Sequence, residues 1–146
     1  MDLSIGRYEV KRLLAQGAMG KIYLAWDPRL NRDVAIKVLS RGTDGAARRN
    51  RFRLEARTIA ELKHPNIVEL YDYSGEDAED LFLVMEYVPG RTLHDFLMDH
   101  GAMTETTTLC VGHELTRALE HAHSHKVVHR DLKPENILLH SAGASC

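Results

Sequence analysis

Cysteine, long apolar runs and an excess of either charge are all scarce in this chain, and each scarcity excludes a class of protein. Cys110 and Cys146 are the two cysteines in 146 residues. They show neither CxxC spacing nor the density of a disulfide scaffold, so a reducing compartment, and hence a cytoplasmic location, is expected. No window approaches the roughly eighteen apolar residues of a membrane span, and the N-terminus "MDLSIGRYEV" lacks the basic and apolar regions of an export signal. No membrane contact is therefore expected within the chain. Lysine and arginine number 19 against 21 aspartates and glutamates. That balance gives no general attraction for nucleic acid, and the basic run Arg48-Arg49-Asn50-Arg51 reads as a solvated helix face.

What is present is an ordinary globular composition, 44% hydrophobic and 27% charged, enough for one core or two small lobes. Residues 7–15, 20–27 and 33–40 read as three strands of an antiparallel meander, with turns at Gln16-Gly17 and from Asp27-Pro28 to Asn31-Arg32. A helix follows from an N-cap at Asp44 to His64, with Phe52, Glu55, Ile59 and Leu62 in one narrow arc, so that a carboxylate sits on an apolar face. Pro65 ends it. Two more strands, within 66–74 and 80–88, flank the acidic turn "GEDAED". Beyond a hinge at Pro89-Gly90 the pattern is helical, with Val111, Leu115, Ala118, Leu119 and Ala122 at helical spacing.

Three constellations carry chemistry. In "LAQGAMGKI", Leu14 to Ile22, glycines at 17 and 20 let a backbone turn approach phosphate oxygens, although an ordinary hairpin also uses glycine. In "VAIK", Lys37 lies on a strand expected to be buried on one face, and Glu55 on the next helix is its expected partner, because either charge buried alone would be costly. A purely structural salt bridge remains the alternative. In "HRDLKPEN", Asp131 can accept a hydroxyl proton, Lys133 can neutralise a transferring anion, and Asn136 can offer an amide oxygen to a hard cation such as Mg²⁺. A second histidine-rich stretch, "HAHSHKVVH", places His121 and His125 at i, i+4, but no third ligand accompanies them, and the segment reads as a helix end.

Together these strings resemble the protein kinase superfamily, and in texture the eukaryotic-type serine/threonine kinases of bacteria. The resemblance implies an α+β, protein-kinase-like fold: a five-stranded antiparallel N-lobe sheet with one helix over residues 8–88, an incomplete helical C-lobe over 89–139, and an irregular tail over 140–146. It implies ATP and Mg²⁺ as cofactors, nucleotide between the lobes, and a protein substrate bearing a serine or threonine hydroxyl. Gly17 and Gly20 would cover the phosphates, Lys37 would hold them, and Glu55 would orient Lys37. Leu14, Ile22, Ala35 and Leu138 would sandwich adenine, Met85 would be the gatekeeper, and the backbone of Glu86 and Val88 would bond the base. Asp131 would be the catalytic aspartate, Asn136 the metal ligand, and Lys133 the mark of serine/threonine specificity. Arg130 implies regulation through a phosphorylated activation loop, and His129 a packing role.

Two departures stand out. Ala15 replaces the first glycine of the loop, a mild change. No Asp-Phe-Gly motif follows the catalytic loop: after Glu135 the chain has no carboxylate side chain, and Asp95-Phe96 precedes the loop and is followed by Leu97. The resemblance covers Tyr8 to about Leu139. The expectation is therefore a truncated kinase with phosphoryl transfer reduced by orders of magnitude, or alternatively a non-catalytic nucleotide-binding or interaction module. Either form is expected to expose apolar surface that a partner would cover.

Overall fold

The computed structural model describes residues 3–17, 20–39, 45–75 and 80–142. The expected N-cap at Asp44, the centre of the acidic turn (76–79), the tip of the glycine loop (18–19) and the end of the tail (143–146) lie outside them, as do the side chains of Arg48 and Arg51. The described residues belong to two compact units, Met1–Lys63 with Val68–Tyr87, and His64–Ile67 with Val88–Cys146.

The first unit is built on a sheet of six strands, one more than expected. These are β1 (Ser4–Ile5), β2 (Tyr8–Gly17), β3 (Gly20–Asp27), β4 (Arg32–Leu39), β5 (Leu70–Tyr73) and β6 (Phe82–Glu86), and every pairing is antiparallel. The additional strand, β1, pairs Ser4 with Glu9 and Ile5 with Tyr8. The sheet order is β1-β2-β3-β4-β6-β5, so the simple meander needs a second correction: β6 sits beside β4, and β5 forms the edge. On one side of this sheet Tyr8, Ala25, Val34, Ile36 and Val84 make the core, with Ile5, Val38, Tyr71 and Phe82 packed around them. Burial of each such valine or isoleucine contributes about 1.5–3 kcal/mol.

Helix α1 (Gly45–Ala60) packs against β5, where the Phe52 ring meets Tyr73 edge-on at 6.3 Å. Its buried residues are Phe52 and Ala56, and Leu62 is buried just beyond its end. Glu55 and Ile59 are exposed. The narrow apolar arc read from the sequence is thus shifted by part of a turn.

In the second unit, β7 (Gly90–Thr92) and β8 (Leu138–His140) form a two-stranded ribbon. Gly90 is consequently a strand residue as well as part of the expected hinge, and His140, expected in an irregular tail, ends β8. Helix α2 (Leu93–His100) starts with the Thr92 hydroxyl accepting from the Asp95 N–H at 3.0 Å and stops at Gly101, whose φ is 74°. Helix α3 (Glu105–Ser124) is capped by Thr104, which accepts from the Thr107 N–H at 3.2 Å. Such caps satisfy amide protons that the first helical turn leaves without partners. No helix among the described residues is long and apolar enough to cross a membrane.

A polar knot closes the first unit at one end. Asp27 is 1% exposed; it accepts from the Arg29 and Leu30 N–H groups and lies 3.6 Å from Arg7. Arg7 and the Tyr8 hydroxyl both donate to Asp72 at 3.0 Å. Burial first, then the Asp72 carboxylate, holds the Tyr8 phenol above its ordinary range. For Asp27, burial pushes the pKa up, but the two N–H groups and Arg7 outweigh it, and the carboxyl sits below its ordinary value. A depressed carboxyl stabilises the fold above its unfolded pKa, and that contribution is lost as pH falls through the folded one. Asp27→Asn is expected to cost about 1–3 kcal/mol in denaturant unfolding near neutral pH, with the difference from the parent chain vanishing in acid.

Candidate active site

Strand β4 is central, between β3 and β6, and its alternation serves both faces of the sheet. Ala35 pairs with Leu24 and Met85, and Lys37 pairs with Ile22 and Leu83. Cross-strand partners and alternate residues share a face. Ile22, Leu24, Ala35, Lys37, Leu83 and Met85 therefore lie on the side opposite the core made by Val34 and Ile36. Ala35 is buried, and Ile22, Lys37 and Met85 are half-buried. Leu14, also half-buried, falls in the register shift between Leu13 and Ala15 on β2.

Gly17 pairs with Gly20 where β2 meets β3. The two glycines have different reasons. At Gly20, φ is 139° and a Cβ would stand 2.0 Å from the Val38 carbonyl oxygen, so the neighbouring strand enforces the glycine. At Gly17 nothing lies within 4 Å of a Cβ, and the missing side chain leaves that backbone open to a ligand.

Lys37 and Glu55 do not meet: among the described residues they form no ion pair, and Glu55 is exposed. The cause is where the helix lies. Helix α1 packs on the edge strand β5, two strands from β4, which is about 10 Å at ordinary strand spacing. Glu86, at the end of β6, uses its N–H on the Glu69 carbonyl at 2.9 Å, while its carboxylate accepts from the Glu69 N–H at 3.3 Å.

In the second unit, Val88 makes no backbone hydrogen bond among the described residues. The chain then runs through β7, α2 and α3 to the loop at 129–136. Lys126 and Arg130 both take left-handed φ values, 61° and 63°, a strain of about 1–2 kcal/mol each of the kind that persists at functional sites. The Asp131 N–H donates to His129 Nδ1 at 3.3 Å. Lys133 is extended, as a residue before proline must be, and Pro134 opens a short 3₁₀ turn to Asn136. That turn points the Asn136 amide back: its Nδ2 donates to the Asp131 carbonyl at 2.8 Å and to Asp131 Oδ2 at 3.2 Å, while Lys133 Nζ stands 3.5 Å from the same Oδ2. Aspartate, lysine and asparagine are thus brought together, all exposed. The Asn136 amide oxygen makes no hydrogen bond among the described residues, which suits a single hard-cation donor. Leu138, also exposed, begins β8.

The sequence profile of the protein kinase domain matches residues 8–144. The chain belongs to the protein kinase family. Its relatives include serine/threonine-protein kinase PrkC of Bacillus subtilis, 41% identical over 140 residues, covering 94% of this chain and 21% of PrkC. Serine/threonine-protein kinase PknA of Mycobacterium tuberculosis is 41% identical over 143 residues, covering 94% of this chain and 33% of PknA. Among solved structures, the Mycobacterium tuberculosis PknI kinase domain superposes with a TM-score of 0.83 at 31% identity, covering 97% of this chain and 58% of that one. The chain therefore spans about a fifth of the length of PrkC and somewhat over half of the solved kinase domain.

Two kinase-domain features escaped the sequence. One is the close approach at Gly90, where φ is 155° and a Cβ would lie 1.9 Å from the Leu139 carbonyl oxygen. The other is the bond from the Leu93 N–H to the Ile137 carbonyl at 2.8 Å, which ties the start of α2 to the end of the loop. Proline-glycine at 89–90 marks a turn equally well, so only the later apolar triplet "ILL" hinted at a partner strand. Among the described residues, no group of three or more histidine, cysteine, aspartate or glutamate side chains is arranged to hold a metal ion. Gly20→Ala is expected to lower stability by about 2–3 kcal/mol through the clash with β4, whereas Gly17→Ala is expected to change it by less than about 1 kcal/mol. Paired thermal melts read this contrast.

Proposed function

We propose that this chain carries the nucleotide-binding sheet and the catalytic loop of an ATP-dependent serine/threonine protein kinase. The observation that carries the reading is the Asp131 carboxylate held by the Asn136 amide with Lys133 beside it. In this reading Asp131 receives the proton of the attacking serine or threonine hydroxyl as the hydroxyl oxygen bonds the γ-phosphorus and ADP departs. Asn136 fixes Asp131 through its NH₂ and offers its remaining oxygen to Mg²⁺, whose role is to offset phosphate charge. Lys133 adds positive charge beside the transferring group. On the sheet, Lys37 binds the phosphates, Gly17 and Gly20 frame them, and Leu14, Ile22, Ala35 and Met85 provide an apolar surface for the base. The resemblance also assigns Leu138 and the backbone of Glu86 and Val88 to the base. The partner is a protein hydroxyl; nucleic acid has no part.

The separation of Lys37 from Glu55 favours a second reading, a nucleotide-binding or interaction module without turnover. It also supports slow phosphoryl transfer. Titration with a fluorescent ATP analogue, with and without Mg²⁺, and a radiolabelled-ATP assay on the same preparation separate the two. Asp131→Asn is expected to reduce any transfer by about 10²–10⁴-fold while leaving nucleotide affinity within about threefold, whereas Lys37→Met weakens binding itself. Nucleotide binding unaffected by Lys37→Met would sink the assignment of the sheet face.

A further inference from the structure

Three imidazoles meet in the second unit, away from Asp131 and Asn136. The His64 ring, on the 64–67 loop, lies 5.3 Å from His121 on α3, and His121 lies 4.5 Å from His125 at the helix end. Their hydrogen bonds fix much of the proton inventory. His64 Nδ1 accepts from the Asn66 N–H at 3.1 Å, so it carries no proton. His125 Nδ1 stands 2.9 Å from the His121 carbonyl oxygen and 3.2 Å from Ser124 Oγ. His121 Nε2 is buried with no hydrogen-bond partner. A charged His121 would therefore bury an N–H without an acceptor.

The groups that act electrostatically on His121 are His125 from its own helix and His64 from the loop, with no carboxylate among them. Burial first, then those two rings, hold the His121 imidazole below its ordinary pKa. Just beyond the cluster the Val127 N–H bonds the Ala122 carbonyl at 2.9 Å, Lys126 turns left-handed, and His129 opens the catalytic loop.

We propose that the His64–His121–His125 contact is a proton-sensitive brace, which holds the 64–67 loop against the end of α3 when His121 is neutral and releases it when His121 is charged. The inference does not depend on phosphoryl transfer. The sign follows from linkage: with the folded-state pKa depressed, the unfolded chain takes up the proton first, so stability falls as pH drops through about 6.5 and below.

Two measurements on the whole chain test it. Ring-proton NMR should give His121 a titration midpoint below 6.5, and a midpoint at or above that value overturns the proposal. Thermal melts at about pH 7.5 and about pH 5.5 should show that His121→Phe, which keeps the ring and removes the proton, loses at least about half of the parent's acid-induced drop in Tm. An undiminished drop in a folded variant also overturns it. Should His121→Phe fail to fold, the NMR midpoint decides alone.

Discussion

Strand β4 has neighbours on both edges and tasks on both faces, and the register it keeps with β3 and β6 is the constraint on which the first unit rests. Val34 and Ile36 point into the core, and Ala35 and Lys37 point the other way. A slip of one residue would exchange the two sets, burying the lysine and exposing the isoleucine. The core and the candidate phosphate-binding amine are therefore specified together. Gly20 reinforces that register, since its backbone approaches β4 too closely for any side chain.

The second unit solves a different problem, holding three exposed polar side chains in one arrangement without burying them. Exposed ion pairs are worth little by themselves, about 0–1 kcal/mol, so Lys133 and Asp131 would not keep each other in place. The Asn136 amide does more, because it grips both the main chain and the carboxylate of Asp131. The 3₁₀ turn that aims it follows from Pro134 and the extended Lys133 before it.

Long elements were legible in the sequence because they are apolar stretches bounded by turn residues. Strands β2, β3 and β4 run for eight to ten residues between clear turn signals, and the order of the glycine loop, Lys37 and the 129–136 string pointed to the family. Short elements were not: Ser4–Ile5 and the triplets of the ribbon show no period, and their strand character comes only from distant partners. Glu55 illustrates a third limit. Periodicity put it in one arc with Phe52 and Ile59, but the buried stripe is Phe52 and Ala56, and packing on β5 rather than β4 left the carboxylate outside. The bonds inside the catalytic loop were invisible for a similar reason, since the residue types foretell chemistry but not the left-handed turn at Arg130 that arranges them.

The ties described for the loop at 129–137 run to Asp131, Lys133 and Pro134 within it and to Leu93 just outside it. Its shape is thus written in a contiguous stretch plus one flanking helix start. Such a segment keeps its reactive geometry through bonds between near neighbours, with the start of α2 as its one outside anchor.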